Sequence, residues 1–369
     1  MDSCPFELWS KIAGYACTDG GYTGRSLSLV SRRMQSAVEP VRYYSICLKS
    51  NQKLFAFASR LMALDKPSTI RHLFIAGLHV HSPRIDEAGS FEGWQKSRAR
   101  LQEDIGKIND AIRNIVTSCA STICTLTIHD WDPRLDVEHI TFPHLHSATL
   151  LTVPRQKSAE DTHRRFPSLR RLHLLTTYHT HHFWQGISAF APRITNLRLS
   201  NVSVDSYIAP YLRILLEVPP PPKIPGIVVV GSSDSFPPGT ADAQEALAVA
   251  SRLACLEHID VRPFKYDSTG DRCGNNGMAH GGMMWDLQAI ASASAKRQGS
   301  RKFTLQPEQP RYSLEEALEE WLETVDGRDG QWFRRSIGRD GPADIPVMWY
   351  EAGLASEKEE SPTQFVPAA

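Results

Sequence analysis

Apolar residues near the amino terminus recur every three or four positions, which is the spacing of a helix face. The first series follows Pro5, a residue that suits the first turn of a helix, and consists of Leu8, Ile12 and Ala16. The second series stops at Pro40 and consists of Leu27, Val30, Met34 and Val38. Glycines at positions 20, 21 and 24 separate the two series. The pattern predicts two helices, each with one apolar stripe.

Two short helices cannot bury both of these stripes against each other. A module of about 40 residues has too little interior to cover two apolar faces. We therefore predict that part of this surface contacts the rest of the chain or another protein. An ordinary helical hairpin that caps a larger domain would show the same pattern, so both interpretations stay open here.

Beyond residue 50, one strand-like pattern occurs seven times. Each copy has an apolar residue, two others, a second apolar residue, one other and a third apolar residue, and this final alternation is the period of a strand. The copies begin at Ile70, Ile123, Leu145, Leu169, Ile194, Ile224 and Leu256. Segments of helix length separate them, as crossovers between parallel strands require.

The spacing of these copies favours a stacked array. Three successive intervals are 22, 24 and 25 residues, within the range of leucine-rich repeats, whereas the first interval is 53. We predict an α/β fold, in which a small all-helical module precedes an irregular leucine-rich-repeat-like solenoid of parallel strands and helices. A doubly wound parallel sheet is the alternative. The predicted boundaries are 1–50 for the module, 51–350 for the solenoid and 351–369 for a disordered acidic tail.

Several later segments have clear patterns of their own. Apolar residues at helical spacing predict helices over 101–119 and 243–253, and Lys302–Leu305 fits one more strand. Ser313 and Glu316 have the spacing of a capping box, so a last helix begins there. We expect its Trp321 in the core and its glutamates on a solvated face. The glycine-rich stretch 267–285 is predicted to be a long loop.

Composition and charge narrow the class of protein. Hydrophobic residues make up 41% and charged residues 22%, and 41 basic side chains balance 41 acidic ones. The basic pairs at 164–165 and 170–171 are only local, so we predict no nucleic-acid partner. No apolar run approaches the roughly 18 residues of a membrane span. Seven scattered cysteines without a Cys-x-x-Cys pair indicate reduced thiols, and we expect a cytoplasmic or nuclear protein.

The sequence contains no recognised catalytic or metal-binding order of residues. The glycines at 20, 21 and 24 lack the spacing and the lysine of a phosphate loop. The histidines at 179, 181 and 182 lack a cysteine or carboxylate at ligand spacing. His79 and His81 are predicted on one side of a strand edge, a geometry that is open to zinc but is more common for simply exposed histidines. We therefore predict no catalysis, no cofactor and no metal. A hydrolase or transferase that uses the glycine-rich stretch is a rival interpretation.

The amino-terminal module resembles an F-box. That family's pattern opens with Leu-Pro-x-Glu-Leu and continues to a later Leu-x-Leu-Val-x-Arg stretch. The positions that match are Pro5, Glu7, Leu8, Leu27, Leu29, Val30 and Arg32. Cys4 stands where the family has its first leucine. An F-box docks on the small Skp-type adaptor of a cullin-RING ubiquitin ligase, so the resemblance implies that adaptor and, through it, cullin as partners.

The whole chain resembles F-box proteins with leucine-rich repeats. The resemblance implies a non-catalytic substrate receptor whose repeat body binds a protein client. The residues expected to contact the adaptor are Pro5, Leu8, Ile12, Leu27, Leu29, Val30 and Met34. The alternative is a leucine-rich-repeat interaction scaffold that is unrelated to ubiquitin ligation.

Overall fold

The computed structural model describes residues 5–63, 69–78, 91–129, 140–153, 165–175, 181–203, 208–219, 239–266, 275–297, 299 and 301–328. Within these ranges the fold is α/β, with ten helices and eight strands. The helices are α1 (Phe6–Ala16), α2 (Tyr22–Ser28), α3 (Arg32–Val38), α4 (Asn51–Met62), α5 (Phe91–Cys119), α6 (His181–Phe190), α7 (Ile208–Leu215), α8 (Ala241–Arg252), α9 (Asn275–Lys296) and α10 (Leu314–Val325). The strands are β1 (Ser45–Leu48), β2 (His72–Ile75), β3 (Thr125–Ile128), β4 (Ser147–Leu150), β5 (Arg171–Leu174), β6 (Asn196–Val202), β7 (His258–Pro263) and β8 (Lys302–Leu305).

All eight described strands form one parallel sheet, in the order in which they occur in the sequence. One row of paired residues crosses every strand. From β1 to β8 this row is Cys47, Phe74, Thr127, Thr149, His173, Arg198, Asp260 and Thr304. A doubly wound sheet reverses its strand order near the middle. The described strands have no such reversal, so the doubly wound alternative is wrong for them.

The repeated apolar pattern locates most of the strands. Six of its seven copies coincide with β2 to β7, and the additional strand predicted at 302–305 is β8. The copy that begins at Ile224 lies outside the described residues, and β6 pairs directly with β7. β1 was not predicted. Ile46 and Leu48 of β1 have the same pattern together with Tyr43, an aromatic residue that precedes the strand and takes the first position.

The apolar residues of the strand pattern face one side of the sheet, which we call the outer face. Leu73 and Ile75 of β2, for example, lie in the main hydrophobic core with residues of α4 to α9. The predicted helices at 101–119 and 243–253 correspond to the later part of α5 and to α8. Burying each such apolar side chain contributes on the order of 1.5 to 3 kcal/mol, so this layer stabilises the sheet.

The opposite side, the inner face, is covered by α10 alone among the described helices that pack on the sheet. Trp321 is 3% exposed and packs on Phe74 of β2, with ring centroids 5.5 Å apart. The expectation that Trp321 lies in the core is confirmed. The predicted capping box is present as well: Ser313 Oγ accepts from the Glu316 amide at 3.2 Å, and the Ser313 amide donates to the Glu316 carboxylate at 2.9 Å.

Most of the glycine-rich stretch is helix, and the prediction of a loop is wrong there. Residues 267–274 lie outside the described part of the chain, and α9 begins at Asn275. Met283, Leu287 and Ile290 are buried in the main core at a spacing of four and three. Their burial outweighs the cost of glycine in a helix, which is about 1 kcal/mol per residue relative to alanine.

The amino-terminal module has three helices, so the prediction of one continuous helix from Leu27 to Val38 is wrong. Ser31 has an extended backbone, and its side chain accepts a hydrogen bond from the Met34 amide at 3.1 Å. This N-cap starts α3 as a separate helix. Ala13, Cys17 and Val38 form a small core of the module, distinct from the main core.

The module is joined to the sheet along β1. The Cys47 amide donates to the Gly20 carbonyl at 3.2 Å, and the Gly20 amide donates to Ser45 Oγ at 2.8 Å. The φ angle of Gly20 is +78°, and a Cβ there would lie 2.7 Å from Cys47 Cβ. Only glycine fits this position without strain. β1 lies within residues 1–50, yet it pairs with β2 and adds Ile46 and Leu48 to the main core.

Candidate functional site

Large apolar and aromatic side chains are exposed together on the amino-terminal module. Seven of the twelve that are exposed within the described residues belong to it: Phe6, Leu8, Ile12, Tyr15, Tyr22, Leu29 and Val30. We call these seven residues the apolar surface. The exposed fraction of Leu8 is 50%, and that of Leu29 is 78%. Clustered exposure of this kind is typical of surfaces that bind another macromolecule.

The structure divides the seven predicted adaptor-contacting residues into two groups. Five are exposed: Pro5, Leu8, Ile12, Leu29 and Val30. The other two, Leu27 and Met34, are half-buried and pack against the small core of the module. Helical spacing identifies a stripe but does not say which part of it the module covers itself. Leu27 and Met34 therefore stabilise the module more than they extend its free surface.

Three members of the apolar surface were not singled out from the sequence: Phe6, Tyr15 and Tyr22. Tyr15 continues the series of Leu8 and Ile12 at seven residues from Leu8, so it lies on the same side of α1. Its exposed fraction is 77%. The helical period alone would have identified Tyr15. Nothing in the local pattern distinguishes Phe6 or Tyr22 from a core aromatic residue.

The exposed charges next to the apolar surface in sequence are mainly basic: Lys11, Arg25, Arg32 and Arg33. Glu7, between Phe6 and Leu8, is an exposed acidic residue of the same surface, whereas two other acidic residues contact groups within the module. Asp19 accepts a hydrogen bond from the Thr23 amide at 2.9 Å, and Glu39 lies 3.6 Å from the Arg42 guanidinium. A partner with an apolar groove bordered by carboxylates would complement this surface in charge.

A second candidate site lies on the inner face, where α10 crosses β6 and β7. Arg198 is 3% exposed and donates to Asp260 at 2.8 Å and to Glu320 at 3.0 Å. Arg262 is 7% exposed and donates to Glu316 at 3.1 Å. A buried cation is costly unless a carboxylate is placed beside it. Two arginines of the sheet thus hold two glutamates of the helix.

The glutamates of α10 therefore divide between its two sides. Glu315 and Glu319 are exposed, whereas Glu316 and Glu320, which are four residues apart, face the sheet. The expectation of a solvated glutamate face is wrong for Glu320, whereas the Glu316 side chain pairs with Arg262 and is still 39% exposed. Their partners lie on strands far away in the sequence, so the local charge pattern of the helix could not reveal them.

Tyr312 and His173 complete this arrangement. The Tyr312 hydroxyl donates to Glu320 at 2.8 Å. His173 is fully buried, its Nε2 lies 2.8 Å from Ser200 Oγ, and its ring packs edge-on against Tyr312 at a centroid distance of 4.9 Å. We call the following seven residues the inner polar cluster: His173, Arg198, Asp260, Arg262, Tyr312, Glu316 and Glu320.

Burial shifts the pKa values of four groups in the cluster, one of which is Tyr312, whose phenol pKa it raises well above the ordinary 10. It lowers the pKa of the His173 imidazole well below the ordinary 6.5, and nearby arginines act in the same direction. Burial raises the pKa of the Glu320 and Asp260 carboxyls, although Arg198 opposes this shift in both. His173 is consequently neutral in the folded protein at neutral pH.

The substitution His173→Gln should weaken the pH dependence of stability. Folded His173 faces Arg198, Arg262, His129 and Glu320 and stays unprotonated, whereas an unfolded histidine takes up a proton near pH 6.5. Because the unfolded state then binds more protons, the wild-type free energy of unfolding falls as the pH falls below about 6.5. Glutamine cannot titrate. We expect a smaller slope of unfolding free energy against pH, measured by urea unfolding near pH 6. The decrease should correspond to about one fewer proton taken up on unfolding.

The control for this experiment is His146→Gln, because His146 is exposed. We expect its slope to match that of the wild type. Glu320 and Asp260 have the opposite effect on the pH dependence of stability. Because folding raises their pKa values, the free energy of unfolding falls as the pH rises above about 4, the pKa of these carboxyls in the unfolded chain. An unchanged slope in His173→Gln would contradict this prediction, because it would mean that His173 binds as many protons in the folded state as in the unfolded state.

A groove of about 800 Å³ lies on the outer side, beside α7, α8 and α9. Its lining is mainly apolar, with Lys296 and Arg297 among the charged residues. Beside it, Arg213 of α7 and Asp286 of α9 form a buried ion pair with an N–O distance of 2.8 Å. The glycines of α9 do not line this groove. The rival interpretation that assigns a ligand to the glycine-rich stretch is not tested by this groove, because residues 267–274 lie outside the described part of the chain.

Within the described ranges, no three histidine, cysteine, aspartate or glutamate side chains are grouped so as to hold a metal ion. His79, His81 and His179 lie outside those ranges, and His181 and His182 begin α6. None of the described helices is both long and apolar enough to cross a membrane. Comparisons of the chain with models of known families and with curated proteins give no match.

Proposed function

We propose that this chain is a non-catalytic substrate-recognition adaptor of a cullin-RING ubiquitin ligase and that its amino-terminal module docks on a Skp-type adaptor. The observation that carries the proposal is the exposure of Leu8, Leu29 and Val30, at 50%, 78% and 64%. These are positions at which the chain matches the F-box pattern. A surface of large apolar side chains is stabilised when a partner covers it.

The exposed fractions also indicate where the binding free energy would come from. Full burial of one such side chain contributes on the order of 1.5 to 3 kcal/mol, and roughly half or more of that remains available at Leu8, Ile12, Leu29 and Val30. The exposed basic residues near them favour a partner with an acidic border, mainly through faster association. Leu27 and Met34 contribute indirectly, by holding the module together.

The body supports the second half of the proposal, which is that a repeat solenoid binds the client. Its strands follow sequence order, and six helices cover the outer face, as in arrays whose units contact only their neighbours. The units are irregular. The paired residues Thr125 and Ser147 are 22 positions apart, whereas Asn196 and His258 are 62 positions apart.

In this function the chain positions the client and contributes no reacting group. It would hold the client near the charged ubiquitin carrier and so raise the effective concentration of the client's lysines. The inner polar cluster is not needed as a catalytic group. The cytoplasmic or nuclear location remains a prediction that follows from the cysteine content and from this function.

Co-purification tests the proposal directly. The intact chain, co-expressed with a Skp-type adaptor, should elute with it as a stable complex in size-exclusion chromatography. A truncated chain that starts at residue 51 is a poor control, because it also loses β1 and with it Ile46 and Leu48 of the main core. The alternative, an interaction scaffold unrelated to ubiquitin ligation, predicts a folded chain that never elutes with the adaptor.

A further inference from the structure

α10 differs from the other described helices of the body in the side of the sheet that it covers. α4 to α9 bury their apolar residues in the main core on the outer face, whereas α10 contributes only to a separate core on the inner face. It also follows the last strand, through a connection of residues 306–313. The main core would therefore keep its contacts if α10 left the inner face.

The inner face beneath α10 is suited to an acidic ligand. β6 and β7 place the guanidinium groups of Arg198 and Arg262 there, and the sheet offers Asp260 to Arg198. The remaining carboxylates come from α10, as Glu316 and Glu320. Between Leu314 and Val325, α10 has five glutamates and neither lysine nor arginine.

A second part of the same face accepts apolar side chains. Phe74, Ala76 and Leu175 line it, and α10 inserts Leu318, Trp321 and Val325 into it. The inner face thus contacts the helix through two kinds of surface. Arginines bind two carboxylates one turn apart, and an apolar patch binds Leu318, Trp321 and Val325 of the same helix.

α10 satisfies this surface only in part. Within the described residues, three buried polar atoms in the contact have no hydrogen-bond partner: Trp321 Nε1, Asp260 Oδ1 and Arg262 Nε. A cavity of about 20 Å³ remains beside Trp321, lined by Thr125, Thr127, Ser147 and Thr149 among others. That volume holds about one water molecule. Buried polar groups are normally hydrogen-bonded, so a ligand that paired these three atoms would form hydrogen bonds that α10 does not form.

We propose that the inner face between β2 and β7 is a binding surface for an acidic amphipathic helix of a partner protein, and that α10 is the chain's own occupant of this surface. The partner helix carries two carboxylates four residues apart and a large apolar residue directly after the second, as α10 does at Glu316, Glu320 and Trp321. Partner binding requires α10 to leave. The inference does not depend on docking to a ligase, because the apolar surface of the module has no part in it.

The test uses the full chain and a fluorescent peptide with the sequence of residues 311–328. In the variant Leu318→Ala with Trp321→Ala, the chain's own helix competes less well for the inner face. We expect this variant to bind the peptide about tenfold more tightly than the wild-type chain does, as measured by fluorescence anisotropy. A folded variant that binds no peptide would overturn the proposal.

Two altered peptides show whether recognition uses the arginines. The peptide with Glu316→Gln and Glu320→Gln should bind about tenfold more weakly than the unaltered peptide. The matched peptide with Glu315→Gln and Glu319→Gln loses the same charge from the exposed side and should bind as tightly as the unaltered one. Equal weakening of both peptides would mean unspecific attraction of an acidic peptide and would contradict the proposed site.

Hydrogen exchange on the wild-type chain covers the case in which the double variant does not fold. The amides of α10 should exchange through local opening, at least about a hundredfold faster than those of β3 to β6. Exchange of α10 only together with global unfolding would overturn the proposal. Co-purification of the same proteins with the Skp-type adaptor is read separately, so failure of one proposal is distinguishable from failure of the other.

Discussion

Leu8→Asp combined with Val30→Asp should abolish capture of the Skp-type adaptor while the body stays folded. Both side chains are exposed in the free chain, at 50% and 64%, so water solvates the new carboxylates there. In the proposed complex the same carboxylates would be buried against an apolar groove without partners, at a cost of several kcal/mol. We expect at least about a hundredfold weaker binding in isothermal titration calorimetry, and no adaptor in co-purification.

The matched control for this variant is Leu247→Asp. Leu247 is an apolar residue of α8 with an exposed fraction of 61%, and it lies outside the amino-terminal module. We expect the control to retain the adaptor and the wild-type melting temperature. If the double variant, shown to be folded by circular dichroism, still captured the adaptor with wild-type affinity, docking through the apolar surface would be ruled out.

Arg213→Met should lower the free energy of unfolding by about 3 to 5 kcal/mol, because it breaks a buried ion pair. Arg213 is 3% exposed and Asp286 is 1% exposed, and their N–O distance is 2.8 Å. The pair joins α7 to α9 beneath the outer groove. Without the guanidinium, the carboxylate of Asp286 stays in the interior with its main counter-charge removed. Urea unfolding at neutral pH measures the loss.

The double variant Arg213→Met with Asp286→Leu should recover most of this stability, because no lone charge then remains in the interior. Lys107→Met is the surface control. Lys107 and Glu103 form a 2.7 Å pair in which both side chains are more than half exposed, and its loss should change stability little. A double variant as unstable as Arg213→Met would show that the arginine acts through packing and not through its charge.

The strands of this fold were predictable because the information for them is local. Each of the six described copies of the pattern places two alternating residues, such as Leu73 and Ile75, on the outer face, and that alternation is visible in the sequence. β1 was missed because Tyr43 takes the first apolar position and because the strand directly follows the helical module. α9 was missed because its glycines hid the spacing of Met283, Leu287 and Ile290.

The inner polar cluster could not be predicted, because its members meet only in three dimensions. Arg198 and Glu320 are 122 residues apart, and neither has a neighbour in sequence that reveals the other. A glutamate-rich helix normally presents its charges to water, so the local pattern indicated exposure. The candidate docking residues are an intermediate case. Helical spacing identified the stripe, whereas only the fold separates exposed Leu29 from half-buried Leu27.

The strand order has a consequence for how the protein is made on the ribosome. Each strand pairs with the strand that was synthesised just before it, so the sheet can assemble stepwise from its amino-terminal end as the chain emerges. α10 emerges after all eight described strands. Until then Arg198 and Arg262 have no glutamate from the helix beside them, and that side of the sheet is open to solvent and to chaperones.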